Sequence, residues 1–112
     1  MEKTNLEMIK GDTLSFAFEI EFDDEPQKLE KADFSCKTNF DDDDVLFHKE
    51  LEKGINLAKQ ERNKLYYIVR VAPEDTKNLE TGMYYYDLSI ELNGDVFTII
   101  NGALRIESDV TR

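Results

Sequence analysis

The chain spends one of its 112 residues on cysteine and one on histidine, and sets only 14 basic side chains against 25 acidic ones. Each shortage removes a class of function. With Cys36 alone no internal disulfide can form, and its period-two register with Phe34, Thr38 and Phe40 on an expected strand points to a buried structural thiol. His48, the lone histidine, takes away the usual general base, and with Cys36 on another element it leaves no partner for a zinc site; a surface or edge-strand side chain is expected there. The net charge of −11 repels nucleic-acid phosphates and anionic lipid headgroups alike. No apolar run approaches the roughly 20 residues that a spanning helix needs, so neither nucleic acid nor membrane is an expected partner.

Glycine-rich loops are missing too. Gly11-Asp12-Thr13 has no glycine-rich continuation and no lysine placed to reach a phosphate, which makes it a turn before a strand. Met1 to Asn5 shows neither a basic start followed by an apolar stretch nor a small-residue cleavage site, so no export signal is expected. Carboxylate pairs abound, yet on so acidic a chain they arise by chance and none is singled out for acid–base work. No catalytic residue and no cofactor are expected, and the chain reads as a non-enzyme.

What is present is aromatic and alternating. Seven Phe and five Tyr fall in period-two runs, and 112 residues suit one domain spanning 1–112. Leu6 to Ile9 reads as a short first strand. Leu14, Phe16, Phe18, Ile20 and Phe22 alternate with polar or small residues in a second, and Asp33 to Phe40 in a third. Val45, Phe47 and Leu51 are spaced for a fourth strand, although a helical turn would fit the charged residues around them. Ile55 and Leu57 mark a fifth, Gln60 to Asn63 a turn, and Lys64 to Val71 a sixth, apolar on both faces and so central. Pro73 to Leu79 is the one expected helical turn, with Leu79 facing the core and Gly82 in the left-handed conformation that ends it.

From Gly82 to Leu92 the pattern places Tyr84, Tyr86, Leu88, Ile90 and Leu92 on one face and Tyr85, Asp87, Ser89 and Glu91 on the other. Asn93-Gly94 then predicts a tight hairpin, because both residues tolerate the positive φ of a type I′ turn. Asn101-Gly102 predicts a bend or bulge in the last strand. Seven or eight short strands with one helical turn predict an all-β, antiparallel, immunoglobulin-like sandwich.

Candidate binding features are few. Asp41, Asp42, Asp43 and Asp44 offer hard oxygen ligands for calcium, with Asp23, Asp24 and Glu25 as a second acidic loop. A calcium loop needs a glycine turn and ligands at alternate positions, which favours a solvated acidic loop instead. Tyr85, pointing opposite to Tyr84 and Tyr86, and Tyr66 are candidates for sugar stacking or protein contact if exposed.

Leu79 to Tyr84 resembles the tyrosine corner of immunoglobulin-like domains, with Tyr84 as the corner residue; Tyr86 stands where antibody domains carry their second disulfide cysteine. Together with Ile9-Lys10-Gly11-Asp12-Thr13, the run Asp75 to Leu88, and the ending Gly102 to Thr111, this segment resembles the small immunoglobulin-like domains of tailed-phage and prophage structural proteins, including the N-terminal domain of baseplate upper proteins. That resemblance implies a virion component made in the bacterial cytoplasm, docking onto other tail or baseplate proteins or onto itself, with no catalytic residues. The baseplate proteins carry further domains after this one, a difference that leaves the station in the particle open. Acidic charge fits a basic partner, and sandwich edges offer strand addition. Two other readings stand beside it. One is a carbohydrate-binding or adhesive module built on Tyr85 or Tyr66 with calcium at Asp41 to Asp44; the other is an acidic DNA mimic, disfavoured because lysines interrupt the negative charge.

Overall fold

The computed structural model describes residues 2–41 and 43–108. The strands are β1 (Glu2–Lys3), β2 (Leu6–Ile9), β3 (Leu14–Glu21), β4 (Lys31–Lys37), β5 (Phe47–Leu51), β6 (Gly54–Glu61), β7 (Lys64–Val71), β8 (Gly82–Leu92) and β9 (Asp95–Glu107). A single helical turn, α1 (Pro73–Thr76), lies between β7 and β8. Hydrogen bonding links them in the order β1-β9-β8-β4-β5-β6-β7-β3, with β2 also on β9. Two leaves result. One is β3-β7-β6, and the other runs from the N-terminal strand through β9, β8 and β4 to β5. In immunoglobulin lettering these are the B-E-D and C-F-G sheets, with the N-terminal strand laid along G. The fold is all-β and immunoglobulin-like.

The sheet is mixed, not wholly antiparallel as alternation suggested. β1 and β2 run parallel to β9, and β5 meets β6 in a short parallel contact, Glu50 opposite Gly54 and Leu51 opposite Ile55. Hydrophobic alternation specifies which face a residue takes but not the direction of its neighbour, so parallel pairing left no trace in the sequence. The β5–β6 contact forms because the chain turns the corner between leaves within two residues, Glu52 taking a φ of 67° and Gly54 one of 107°. Residues 45–58, ambiguous by pattern, therefore form two strands and the corner that joins the leaves.

Inward-facing residues of both leaves build one core around Phe34, Cys36, Ile55, Leu65, Val69, Leu88 and Leu104, all with no exposed surface. Phe34 is its aromatic hub: its ring lies 5.6 Å from Phe16 across the leaves, 5.3 Å from Tyr86 and 6.2 Å from Phe47. Phe18 stacks on Tyr67 at 5.4 Å. β7 is flanked on both sides, but only Leu65, Tyr67, Val69 and Val71 are buried; Ile68 is exposed and Tyr66 half-buried, so its second face looks outward.

Several expected boundaries move for identifiable reasons. β4 starts at Lys31, not Asp33, because Lys31 and Ala32 pair with Glu91 and Ile90, and it stops at Lys37, so Phe40 leaves the strand for an exposed turn. β6 continues through Gln60 and Glu61, leaving Arg62-Asn63 as the turn. α1 ends at Thr76, with Leu79 reached through a further turn bonded back to the Thr76 carbonyl and packed against the core. Gly82 does not cap α1. It opens β8, six residues after the helix ends, with a φ of 150°.

The hairpin at Asn93-Gly94 joins Leu92 to Asp95 with φ values of 54° and 82°, as a type I′ turn requires. The bulge in β9 lies at Ile99, between the pairs Leu88–Ile100 and Ser89–Thr98, and not at Asn101-Gly102. Gly102 serves a different need: a β-carbon there would collide with the Thr4 backbone carbonyl. β1 and β2 share one register against β9, Lys3 opposite Asn101 and Leu6 opposite Leu104, so they are one strand interrupted at Thr4-Asn5. At the interruption Thr4 donates its N–H to Asn101 O (2.9 Å), while its carbonyl accepts the hydroxyl of Tyr86 (2.5 Å), the residue opposite Gly102. The missing side chain of Gly102 is what lets that carbonyl reach the tyrosine.

Candidate functional site

The most developed surface is the outer face of β8, β4 and β5. Strand alternation brings Tyr85, Asp87 and Ser89 of β8 beside Lys37, Ser35 and Asp33 of β4, and sets His48 and Glu50 of β5 opposite Ser35 and Asp33. Asp33 and Glu50 are direct cross-strand neighbours, and two like charges so placed repel. His48 occupies the diagonal. Its Nε2 stands 3.3 Å from Asp33 Oδ1 and 3.5 Å from Glu50 Oε2, and Lys53 Nζ lies 3.4 Å from Glu50 Oε1. The side chains of Asp33, His48 and Glu50 are each close to half exposed. Asp33 and Glu50 also line an open recess of about 350 Å³ with Glu30, Lys31, Ala32 and Leu51.

This trio was not legible in the chain. Composition offers His48 neither a thiol nor a second imidazole on its own element, whereas strand register brings it one carboxylate from 15 residues upstream, Asp33, and one from two residues downstream, Glu50. The i, i+2 spacing of His48 and Glu50 on one strand face was the signal available.

At the other end of the same face, Tyr85 is half-buried because Phe40, freed from β4, lies against it with ring centroids 4.6 Å apart at 41°. Phe40 keeps about half of its surface exposed, and the pair adjoins Ser35, Lys37 and Asp87. Tyr66 lies on the other leaf, half-buried, with Lys59 Nζ 4.7 Å above its ring. The two tyrosines therefore do not share a surface. Asp41, Asp43 and Asp44 are exposed, and Asp42 lies outside the described residues. Among the described residues, the convergent set of ligand atoms is Asp33, His48 and Glu50, not the aspartate run.

The corner residues have structural partners. Tyr84 donates its hydroxyl to the Glu80 carbonyl at 2.6 Å, the four-residue reach of a tyrosine corner. Its pKa is raised by burial first, and then by the neighbouring charge of Glu80 and by Cys36. Cys36, fully buried, has its thiol pushed up by desolvation to about 12, the opposite of a reactive thiolate.

The stretches that carried the family resemblance meet at one corner. Gly11 donates its N–H to the hydroxyl of fully buried Thr76 (3.0 Å), Lys10 N–H bonds Glu107 O (2.8 Å), and Asp75 accepts both Ala72 N–H (2.7 Å) and Lys49 Nζ (2.6 Å). The Asp109-Val110-Thr111 ending lies outside the described residues. These residues tie the N-terminal strand, β5, α1 and the end of β9 together, which is a structural duty.

No family model and no curated protein sequence matches the chain. Among solved structures, it is similar to part of a family 123 glycoside hydrolase from Clostridium perfringens, described for glycolipid glycan hydrolysis. The TM-score is 0.59 at 9% identity over 100% of this chain, which spans 24% of that one. It is also similar to a VGSC β subunit studied for multimeric cell-adhesive interactions, with a TM-score of 0.45 at 13% identity over 96% of this chain and 93% of that one. At 9% identity the likeness to the hydrolase concerns the fold alone.

Proposed function

We propose that this chain is a non-enzymatic docking domain of a virion tail or baseplate, joining another protein of the assembly by strand addition. The observation that supports docking is the free edge of β9. Among the described residues β9 pairs with β1 at Ile100 and Asn101 and with β2 from Leu104 to Glu107, and nothing pairs with that edge from Asp95 to Thr98. There Val96 is 68% exposed and Phe97 49%. Proteins usually protect an apolar edge with charge or proline, so an unprotected one is suited to receive a strand. The setting rests on the sequence resemblance. The acidic surface supports a basic partner, whose encounter charge would steer.

Mass spectrometry of purified particles from an induced host carrying the gene tests the setting: the chain is expected at structural stoichiometry, and its absence from tails and baseplates would sink it. A chain carrying Val96→Lys and Phe97→Glu tests the edge. It should fold as before, since both residues are exposed, and fail to enter the particle; normal incorporation would rule the edge out.

A second reading is favoured by the Phe40–Tyr85 pair, whose exposed ring surface beside Asp87, Ser35 and Lys37 has the composition of a sugar-stacking platform. On that reading the domain is a carbohydrate-binding or adhesive module, with calcium at the Asp41 to Asp44 loop. A glycan array probed with and without calcium tests it, and silence in both removes it.

A further inference from the structure

We propose that Asp33, His48 and Glu50 form a binding site for a divalent first-row transition metal, with zinc as the probe. The argument is one of edge lengths. Zinc holds nitrogen and oxygen ligands at about 2.0–2.2 Å in a tetrahedron, so neighbouring ligand atoms stand about 3.3–3.6 Å apart. His48 Nε2 is 3.3 Å from Asp33 Oδ1 and 3.5 Å from Glu50 Oε2, two such edges sharing the nitrogen. All three ligand atoms lie within 4.8 Å of one another.

The third edge closes by rotation of two carboxylates that are 44% and 42% exposed and sit directly opposite each other on paired strands. Lys53 engages the other oxygen of Glu50, Oε1, and leaves Oε2 to the site. The directly opposed Asp33 and Glu50 charges give a dication something to neutralise, and the solvent side supplies the remaining coordination. An imidazole nitrogen in the set selects zinc-like ions over calcium and magnesium, which prefer oxygen alone. This site owes nothing to the docking edge and stands apart from the proposed function.

His48 is the chain's only histidine, so the imidazole resonances of the isotopically labelled, untagged protein report this residue alone. Zinc is expected to shift them with saturation at one equivalent, and calcium at the same concentration to leave them in place. Asp33→Asn and Glu50→Gln change exposed side chains and should retain the native circular dichroism. Each should weaken zinc binding about tenfold or more, since losing even an outer-shell group typically costs 10- to 100-fold. His48 resonances that ignore zinc would overturn the site. So would a zinc response unchanged in both carboxylate variants, which would mean a solitary imidazole.

Discussion

At the scale of single residues, the one thiol and the corner hydroxyl serve the structure. Cys36 has no exposed surface and its thiol is pushed up from 9.0 to about 12 by desolvation. The sign of the linkage follows: the folded state holds its proton more tightly than the unfolded chain, so the contribution is fully present below pH 9 and lost as pH climbs toward about 12. The urea midpoint of the parent chain should therefore fall more steeply between pH 8.5 and 10.5 than that of Cys36→Ala, and equal slopes would contradict the assignment. The native thiol should also stay silent to a disulfide reagent until the chain unfolds. Tyr84→Phe removes one hydroxyl whose acceptor, Glu80 O, stays near solvent. A loss of about 0.5–1.5 kcal/mol in chemical denaturation is expected, typical of a single hydrogen bond.

Elements show a sharper contrast. β8 and the Asn93-Gly94 turn follow from local pattern because alternation and turn chemistry act on neighbours in sequence. The N-terminal strand depends on residues far along the chain: Tyr86 OH, 82 positions from Thr4, and the space above Gly102 hold the Thr4 carbonyl. Gly102→Ala should push that carbonyl off the sheet. The expected result is faster amide exchange across Glu2 to Ile9 with β8 pairing retained, read by hydrogen-exchange mass spectrometry; protection unchanged over Glu2 to Ile9 would show that the contact yields without consequence. Phe34→Ala tests the interior instead. It removes the hub shared by Phe16, Phe47 and Tyr86 and should cost about 3–5 kcal/mol in chemical denaturation, the usual range for a buried phenylalanine.

For the whole molecule the governing quantity is charge. A net −11 on 112 residues makes the compact state repel itself, while the ion pairs at Lys31–Glu91, Lys59–Glu61 and Arg105–Glu107 are largely exposed and weak. Screening should relieve the repulsion more than it weakens the pairs. Melting temperature at pH 7 is expected to rise between low and moderate sodium chloride, and a fall would show that the pairs dominate. Most of the net charge sits in the loops, Asp23 to Glu25, Asp41, Asp43 and Asp44 among them, while β3, β6 and β7 together carry three acidic and three basic side chains. In the proposed docking a complementary partner would feel the loop charge as steering, and the exposed edge at Val96 and Phe97 would set register.

The sequence by itself determined the all-β class, the core face of nearly every strand, the hairpin at Asn93-Gly94 and the burial of Cys36. Each of these depends on period-two alternation or on turn chemistry between adjacent residues. Only the tertiary structure decided the parallel seating of the N-terminal strand on β9, the purpose of Gly102, the exposure of Phe40 beside Tyr85, and the meeting of Asp33, His48 and Glu50. Those depend on which strands become neighbours and in what register, and hydrogen bonds between distant backbone segments leave no periodic mark on side chains.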